Sequence, residues 1–256
     1  MISRTVSSSF TESIIAYLAL IAASGVMFYT KAMSKLSAVL WRRYKGILQA
    51  LAISNGVSLG FFAVKTVSSN DYSFLLWNWI LALLPLGFSF ALIISLEQRR
   101  WLSWQNLSLS FLWLIFLPNS FYLASDLIHL REATAANVLF DVVLLLSFSF
   151  NGFITGMLSL YMVHRELYRR FWASQVHALI AGVLLISSFA IYLGRNLRWN
   201  TWDVFVHPAG LVFDVSDRII NPTAHPQAFS TTLGFFVLLG SIYIVLWQFG
   251  RSLEGQ

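Results

Sequence analysis

The sequence predicts an all-α integral membrane protein, a polytopic bundle of about seven transmembrane helices with a long external loop between the sixth and the seventh. Hydrophobic residues make up 57% of the 256 residues and charged residues only 11%, whereas soluble domains carry roughly 25% charged residues. The apolar residues form runs that approach the roughly 20 residues a membrane-spanning helix needs. These runs lack the apolar–polar alternation of a membrane barrel, so each predicts a helix that satisfies its own backbone hydrogen bonds.

Seven apolar segments make up one transmembrane domain of residues 1–256. The first is predicted to be a retained helix, because its apolar run is too long for a typical signal-peptide core. The fourth rises only about 25 Å before Pro118 interrupts it, so either the helix kinks and continues or a second short helix begins there. In chain order the segments span roughly 14–30, 47–67, 74–96, 101–117, 138–162, 174–193 and 229–249.

Two glycine pairs in the segments are spaced four residues apart. Gly56 and Gly60 lie in the second segment, and Gly152 and Gly156 lie in the fifth. Residues at this spacing share one helical face, and small residues there let neighbouring helices approach closely. Both pairs therefore predict close helix packing.

Lysine and arginine are distributed unequally between the loops. Eleven of the 17 fall on the side that contains the linker 31–45 and the C-terminal tail, and six fall on the other side. The positive-inside rule then places the N-terminus outside and the C-terminus in the cytoplasm of a multi-pass protein of the cell membrane. The same clustering explains the net charge of +6 without a nucleic-acid partner, which leaves the lipid bilayer as the expected partner.

Several familiar chemistries have no support in the sequence. There is no cysteine, which excludes disulfides, thiolate metal sites and a cysteine nucleophile. The sequence also lacks a G-x-S-x-G motif, an H-E-x-x-H motif, a Walker loop and a dinucleotide fingerprint. No cofactor and no metal are expected.

The stretch 117–131, LPNSFYLASDLIHLR, places polar residues where an apolar segment should be leaving the membrane. Wound as an α-helix at 100° per residue, it brings Asn119, Tyr122, Asp126 and His129 within an arc of about 80°. Asp126 and His129 are the candidate catalytic pair, since an aspartate can orient an imidazole for proton transfer. Asn119 and Tyr122 are candidate binding residues. Two alternatives stay open: the pair could supply two metal ligands, or it could cap and solvate a helix end.

The stretch 194–203, GRNLRWNTWD, opens the long loop and supplies the second group of candidate binding residues. They are Arg195, Arg198, Trp199, Asn200, Trp202 and Asp203. If the sixth helix continues through it, Arg195 and Arg198 lie one turn apart and suit a phosphate or a carboxylate. Alternatively, the arginines pair with acidic residues and the tryptophans anchor the interface. Charge counting places both stretches on the external face, where they can meet across one cleft.

Further along the same loop, Asp214 and Arg218 are spaced for an ion pair along a helix. The residues around them are too few and too charged for another span. They predict a short helix lying in the membrane interface.

Taken together, the two stretches resemble the domain of unknown function 1361 family of bacterial integral membrane proteins, over most of the chain from the second segment to the seventh. This chain has Ser120-Phe121 where the family often has alanine-proline. The resemblance implies no established activity. The family pattern maps onto Pro118, Asn119, Tyr122, Asp126 and His129, and then onto Arg198, Trp199, Asn200, Trp202 and Asp203.

The function predicted is that of a multi-pass membrane protein with a polar site at the external face, which binds or acts on an anionic lipid headgroup or a small anion. One alternative is a small transporter or channel, whose pathway would continue inward through Asp141, Asn151 and Asn55. Another is a non-catalytic scaffold or assembly protein, whose polar residues hold helices together. Whether the protein is an enzyme and how it oligomerises stay open.

Overall fold

A computed structural model describes residues 33–68, 72–132 and 138–254. Within these ranges the chain is all-helical. The two compact units of the chain divide at residue 49, and every contact of the candidate site lies in the second. The helices are α1 (Met33–Ser68), α2 (Ser73–Leu96), α3 (Trp104–Tyr122), a 3₁₀ helix (Leu123–Glu132), α4 (Val138–Tyr168), α5 (Ala173–Asn196), α6 (Asp203–Val206), α7 (Pro208–Ile220) and α8 (Pro226–Glu254).

Six stretches of the described chain are long and apolar enough to cross a membrane, which confirms the helical multi-pass class. They correspond to the second to seventh predicted segments. The first predicted segment, 14–30, lies outside the described residues. The six stretches are Leu40–Lys65, Ser73–Leu96, Trp104–Leu130, Val138–Tyr168, Ala173–Asn196 and Pro226–Ser252.

Helix α3 continues through Pro118 and ends only at Tyr122, after which the winding tightens into the 3₁₀ helix. The helix begins at a Ser103 cap, whose hydroxyl oxygen accepts a hydrogen bond from the backbone N–H of Asn106. Of the two possibilities left open at Pro118, the structure therefore shows that the helix continues. The projection at 100° per residue is wrong beyond Tyr122, because a 3₁₀ helix has three residues per turn.

Helix α4 holds the α3–3₁₀ junction through its glycine pair. A Cβ atom on Gly152 would lie 2.5 Å from the Leu123 side chain, and one on Gly156 would lie 2.7 Å from the Ser120 side chain. The Ser149 hydroxyl also donates to the Leu123 carbonyl oxygen at 2.6 Å. The close packing predicted for this pair is confirmed. It positions the segment that carries Asp126.

The other glycine pair does not pack in this way. No described atom lies within 4 Å of a Cβ placed on Gly56 or Gly60. Their neighbours Ile53 and Val57 on α1 are exposed. Within the described residues, no neighbouring helix packs closely against this pair.

Helix α5 ends at Asn196, so only the first three residues of the stretch 194–203 belong to it and the rest does not continue the helix. Arg198 has a φ of 60°, the left-handed conformation that often ends a helix and usually falls on glycine. The backbone N–H groups of Leu197 and Trp199 both donate to the Leu193 carbonyl oxygen, at 3.1 and 3.2 Å. Arg195 and Arg198 therefore do not lie one helical turn apart, and the projection of this stretch as a helix is wrong.

Helix α7 is the short helix expected in the long loop. Arg218 pairs with Asp214 at 3.0 Å across one turn, which confirms the predicted ion pair. Its apolar residues Val212, Phe213 and Ile219 are exposed, as on a helix that presents an apolar face to a membrane interface.

Candidate functional site

Asp126 connects three elements of the fold. Its Oδ1 accepts a hydrogen bond from Arg195 Nη2 on α5 and forms an ion pair with the same group. Its Oδ2 accepts a hydrogen bond of 3.1 Å from Asn78 Nδ2 on α2. The carboxylate is only 1% exposed, and a buried charge needs such partners to offset its desolvation.

Arg195 is positioned by three contacts and keeps one nitrogen available. Its Nε and Nη2 donate to the Ser125 hydroxyl at 3.1 and 2.7 Å. Its guanidinium lies 4.7 Å from the centre of the Tyr122 ring, a cation–π distance. The Nη1 atom donates to no residue of the described chain, and the side chain is 21% exposed.

Gly194 makes room for Tyr122. A Cβ atom at this position would lie 3.0 Å from the Tyr122 ring, so a larger residue would push the ring away. The glycine that opens the second stretch therefore allows the tyrosine of the first to lie beneath Arg195.

Asn119 joins the two stretches directly. Its Nδ2 donates to the Thr201 hydroxyl oxygen at 2.9 Å, and that hydroxyl donates to Asn119 Oδ1 at 3.2 Å. The same Nδ2 also donates to the Phe116 carbonyl oxygen at 3.0 Å. The end of α3 is thereby connected to the loop that follows α5.

The remaining residues of the second stretch build the loop itself. Trp199 Nε1 donates to Asp214 on α7 at 2.7 Å. The backbone N–H of Asn200 donates to Asp203 at 2.7 Å. The Trp202 ring lies edge-on to Trp77 of α2, with 6.1 Å between the ring centres. These four residues support the site, and none of them forms a hydrogen bond or ion pair with Asp126 in the described part of the chain.

Two further candidates lie around this core. His129 packs on Phe74 with 4.5 Å between the ring centres, and it is near enough to interact with the charge of Asp126. Arg198 is exposed, and its charge and that of Arg195 both lie within range of Tyr122. Its side chain makes no hydrogen bond or ion pair with the described residues. The site therefore offers one positioned guanidinium and one exposed guanidinium near the same tyrosine.

Three residues that sequence reasoning did not single out also build the site. Ser125 and Thr201 lie inside the two stretches, but a single hydroxyl gives no periodic signal. Asn78 is an isolated amide between Trp77 and Trp79 in an apolar run. That isolation was the signal available, since polar groups are costly in a membrane.

A family model described as "Protein of unknown function (DUF1361)" matches residues 77–242. The chain belongs to the DUF1361 family. The match confirms the resemblance and covers Asn78 and both polar stretches. No curated protein and no solved structure matches the chain.

Three other polar residues in the helices of this DUF1361 member are buried in contacts between helices. Trp79 Nε1 donates to Asn55 Oδ1 at 2.5 Å, and Asn151 Nδ2 donates to the Ser58 hydroxyl at 2.8 Å. Asp141 pairs with Lys65 at 2.6 Å. Because Asn55, Asp141 and Asn151 are all buried, they do not line an open pathway, which counts against the transporter alternative.

The metal alternative gains no support from this DUF1361 structure either. The described ranges contain no group of three histidine, cysteine, aspartate or glutamate side chains arranged to hold an ion. Both oxygens of Asp126 are instead engaged by Asn78 and Arg195.

Proposed function

We propose that this membrane protein binds a phosphate-bearing anion, either a lipid headgroup or a free anion, through Arg195 and Arg198. One observation carries the proposal. Arg195 is positioned by Asp126 and Ser125, while its Nη1 stays available. The exposed Arg198 lies near the same tyrosine, Tyr122. A guanidinium that is already ordered loses little conformational entropy when it binds a phosphate oxygen.

In this proposal Asp126 acts on the anion through Arg195. The carboxylate is buried and its two oxygens are occupied, so its role is to set the direction of the guanidinium. His129 is the nearby group that could exchange a proton with a bound ligand. If the ligand is also chemically transformed, His129 would serve as the acid or base beside the charge of Asp126.

The excess of lysine and arginine in the loops on the opposite side supports an external position for the site. The N-terminus would then lie outside and the C-terminus in the cytoplasm. A ligand would reach Arg198 from the outer aqueous phase or from the outer headgroup layer.

The test compares two sources of the same anion. Unfolding of the purified full chain would be followed with inorganic phosphate in detergent, and in nanodiscs of phosphatidylglycerol or phosphatidylcholine. Stabilisation by both anions that Arg198→Gln weakens indicates a general phosphate site, and stabilisation by phosphatidylglycerol alone that Arg198→Gln weakens indicates a headgroup site. If neither anion raises the unfolding temperature, the proposal is wrong.

Two variants test whether the anion binds at Arg195 and Arg198. Arg198→Gln should reduce the stabilisation, because it removes an exposed charge and no described contact. Lys45→Gln removes an exposed charge from α1 and should leave the stabilisation unchanged. Equal responses of the two variants would contradict the assignment.

A scaffold role is the second candidate, since Asp126 links α2, the 3₁₀ helix and α5. A scaffold would lose function only in proportion to lost stability. Arg198→Gln separates the two functions, because it should weaken anion binding at unchanged unfolding temperature in the absence of ligand.

A further inference from the structure

The end of the helix bundle opposite Asp126 carries two loops of similar composition. Arg99, Arg100 and Trp101 follow α2, and the stretch 169–172, Arg-Arg-Phe-Trp, follows α4. The Trp101 and Phe171 rings meet edge-on with 6.1 Å between their centres. Arg170 Nη2 donates to the Leu96 carbonyl oxygen at 3.1 Å. The two loops therefore form one surface, called here the basic-aromatic surface.

A hollow of about 510 Å³ opens in the second loop, between Tyr168 and Ala173. Arg169 and Arg170 line it. Both arginines pair with Glu166, at 3.2 and 2.6 Å, and the side chain of Arg169 is still 61% exposed.

The charge of the basic-aromatic surface stays positive after its internal ion pairs are counted. Glu97 and Glu166 are its acidic residues, against four arginines. Arg100 is exposed and forms no ion pair within the described part of the chain. Arg169 pairs with Glu97 as well, at 3.8 Å, so the excess positive charge of the surface lies in the loop after α2, beside the exposed Arg169 in the hollow.

An apolar groove of about 450 Å³ lies beside the hollow, between α3, α4 and α5. Trp101 and Phe171 form its end at the loops, and Trp113 and Val183 lie deeper in the helices. Trp113 is nine residues into α3, so the groove reaches about 14 Å along the helix at 1.5 Å per residue. Phe171 lines both the hollow and the groove.

Large apolar side chains stand outward around the two cavities. Leu102, Trp104 and Trp172 are 82%, 82% and 79% exposed. Tryptophan prefers the depth of the lipid headgroups, where its ring is half in hydrocarbon and half in water. The hollow would therefore lie at headgroup depth, with the groove in the hydrocarbon layer below it.

We propose that the basic-aromatic surface binds one anionic phospholipid. The phosphate lies in the hollow near Arg100 and Arg169, one acyl chain lies in the groove, and Phe171 packs at the junction between headgroup and chain. Neither cavity includes a residue of the polar site at the other end, so this inference is independent of the proposed function. The groove distinguishes a lipid from a free phosphate, which would leave the apolar cavity unfilled.

The experiment measures lipid retention by native mass spectrometry of the full chain in detergent. The Arg198→Gln background removes one of the two proposed ligand contacts at the other end and weakens binding there. With equimolar phosphatidylglycerol and phosphatidylcholine, the protein should retain phosphatidylglycerol. Adding Arg100→Gln and Arg169→Gln should weaken that retention roughly tenfold, because each arginine removed weakens the attraction between the protein and an anionic headgroup.

The matched control is Arg42→Gln with Lys45→Gln, which removes two exposed charges from α1 and should leave retention unchanged. Ser110→Leu fills the groove at one of its lining residues and should reduce retention with all arginines present. Soluble glycerol phosphate should compete poorly, because it has no acyl chain.

Three outcomes would overturn the inference: equal retention of the two lipids, an equal loss in the control variant, or full competition by glycerol phosphate. Circular dichroism and size-exclusion chromatography would establish that each variant is folded. Because the Arg198→Gln background is used throughout, failure here leaves the proposed function at the other end untouched.

Discussion

Asn119 on α3 and Thr201 in the loop after α5 exchange two hydrogen bonds, of 2.9 and 3.2 Å, across 82 residues of sequence. They are a direct connection between the two polar stretches, and they hold the loop that carries Arg198 against the end of α3. The contact can be removed with almost no change of shape.

Thr201→Val should release the loop. The substitution keeps a branched side chain but removes the hydroxyl, leaving the Asn119 amide with fewer partners at a cost of about 1–3 kcal/mol. Hydrogen exchange of residues 197–203 should rise and the free energy of unfolding should fall. Thr223→Val is the control, because Thr223 is exposed in the turn after α7. Similar changes in both variants would contradict the role given to this contact.

Asp126→Asn should leave Arg195 without its counter-charge. Removing one partner of a buried ion pair costs about 3–5 kcal/mol, and the lower end applies because Arg195 is 21% exposed. The double variant Asp126→Asn with Arg195→Gln should recover part of the loss. A double-mutant cycle on the free energy of unfolding measures this coupling, and strictly additive effects would show that the pair contributes nothing.

Gly152→Ala should destabilise the protein, because its Cβ would meet the Leu123 side chain and the Ser120 carbonyl oxygen at 2.5 and 2.8 Å. Overpacking of this kind costs about 1–3 kcal/mol. Gly56→Ala is the matched control, since its Cβ meets no described atom within 4 Å. It should be neutral or stabilising by up to about 1 kcal/mol, the helix propensity difference. Unfolding titrations would give the free energy of unfolding of both variants, and equal changes would refute the packing argument.

The Lys65–Asp141 pair should tolerate joint replacement better than single replacement. The two side chains are 9% and 3% exposed, so Asp141→Leu alone removes the carboxylate that pairs with a buried ammonium group and should cost about 3 kcal/mol or more. Lys65→Met with Asp141→Leu removes both charges and should restore most of the stability. A double variant less stable than Asp141→Leu would contradict this expectation.

The turn after α7 should open in acid. Hydrogen bonds from Asn221 and His225 lower the pKa of Asp217 below its usual value, which is about 3.9 when the chain is unfolded. The depressed pKa means that the stabilisation is fully present above pH 4 and is lost as the pH falls through the folded-state pKa. Hydrogen exchange of residues 221–225, corrected for intrinsic rates, should show this loss, and Asp217→Asn should abolish the pH dependence. Unchanged protection down to pH 2 would count against it.

Run length and composition predicted six of the spans because the cost of unsatisfied backbone in lipid leaves the chain little choice. Helix ends were less predictable. Helix α4 continues six residues past the predicted end at 162, through His164 and Glu166. Both side chains are buried: the Tyr243 hydroxyl lies 2.8 Å from His164 Nδ1, and Glu166 pairs with Arg169 and Arg170 just after the helix. Local polarity therefore did not mark the end of the helix.

The residues chosen for the site came from two local patterns, which could not reveal their partners. Asn78 reaches Asp126 only through packing of α2 against the 3₁₀ helix, and nothing in its own neighbourhood indicates that contact. The left-handed backbone at Arg198 was equally hidden, since such positions are normally recognised by a glycine. Tertiary packing determines both the Asn78–Asp126 contact and the backbone conformation at Arg198.

The 3₁₀ helix Leu123–Glu132 is ten residues long, where runs of three or four are usual. Three residues per turn stack Leu123, Asp126 and His129 in one straight row. Rewinding the segment as an α-helix would shorten it by about 5 Å and rotate His129 about 60° away from Asp126. The pitch of this one segment, and not a hinge between helices, therefore sets whether the carboxylate and the imidazole face the same way.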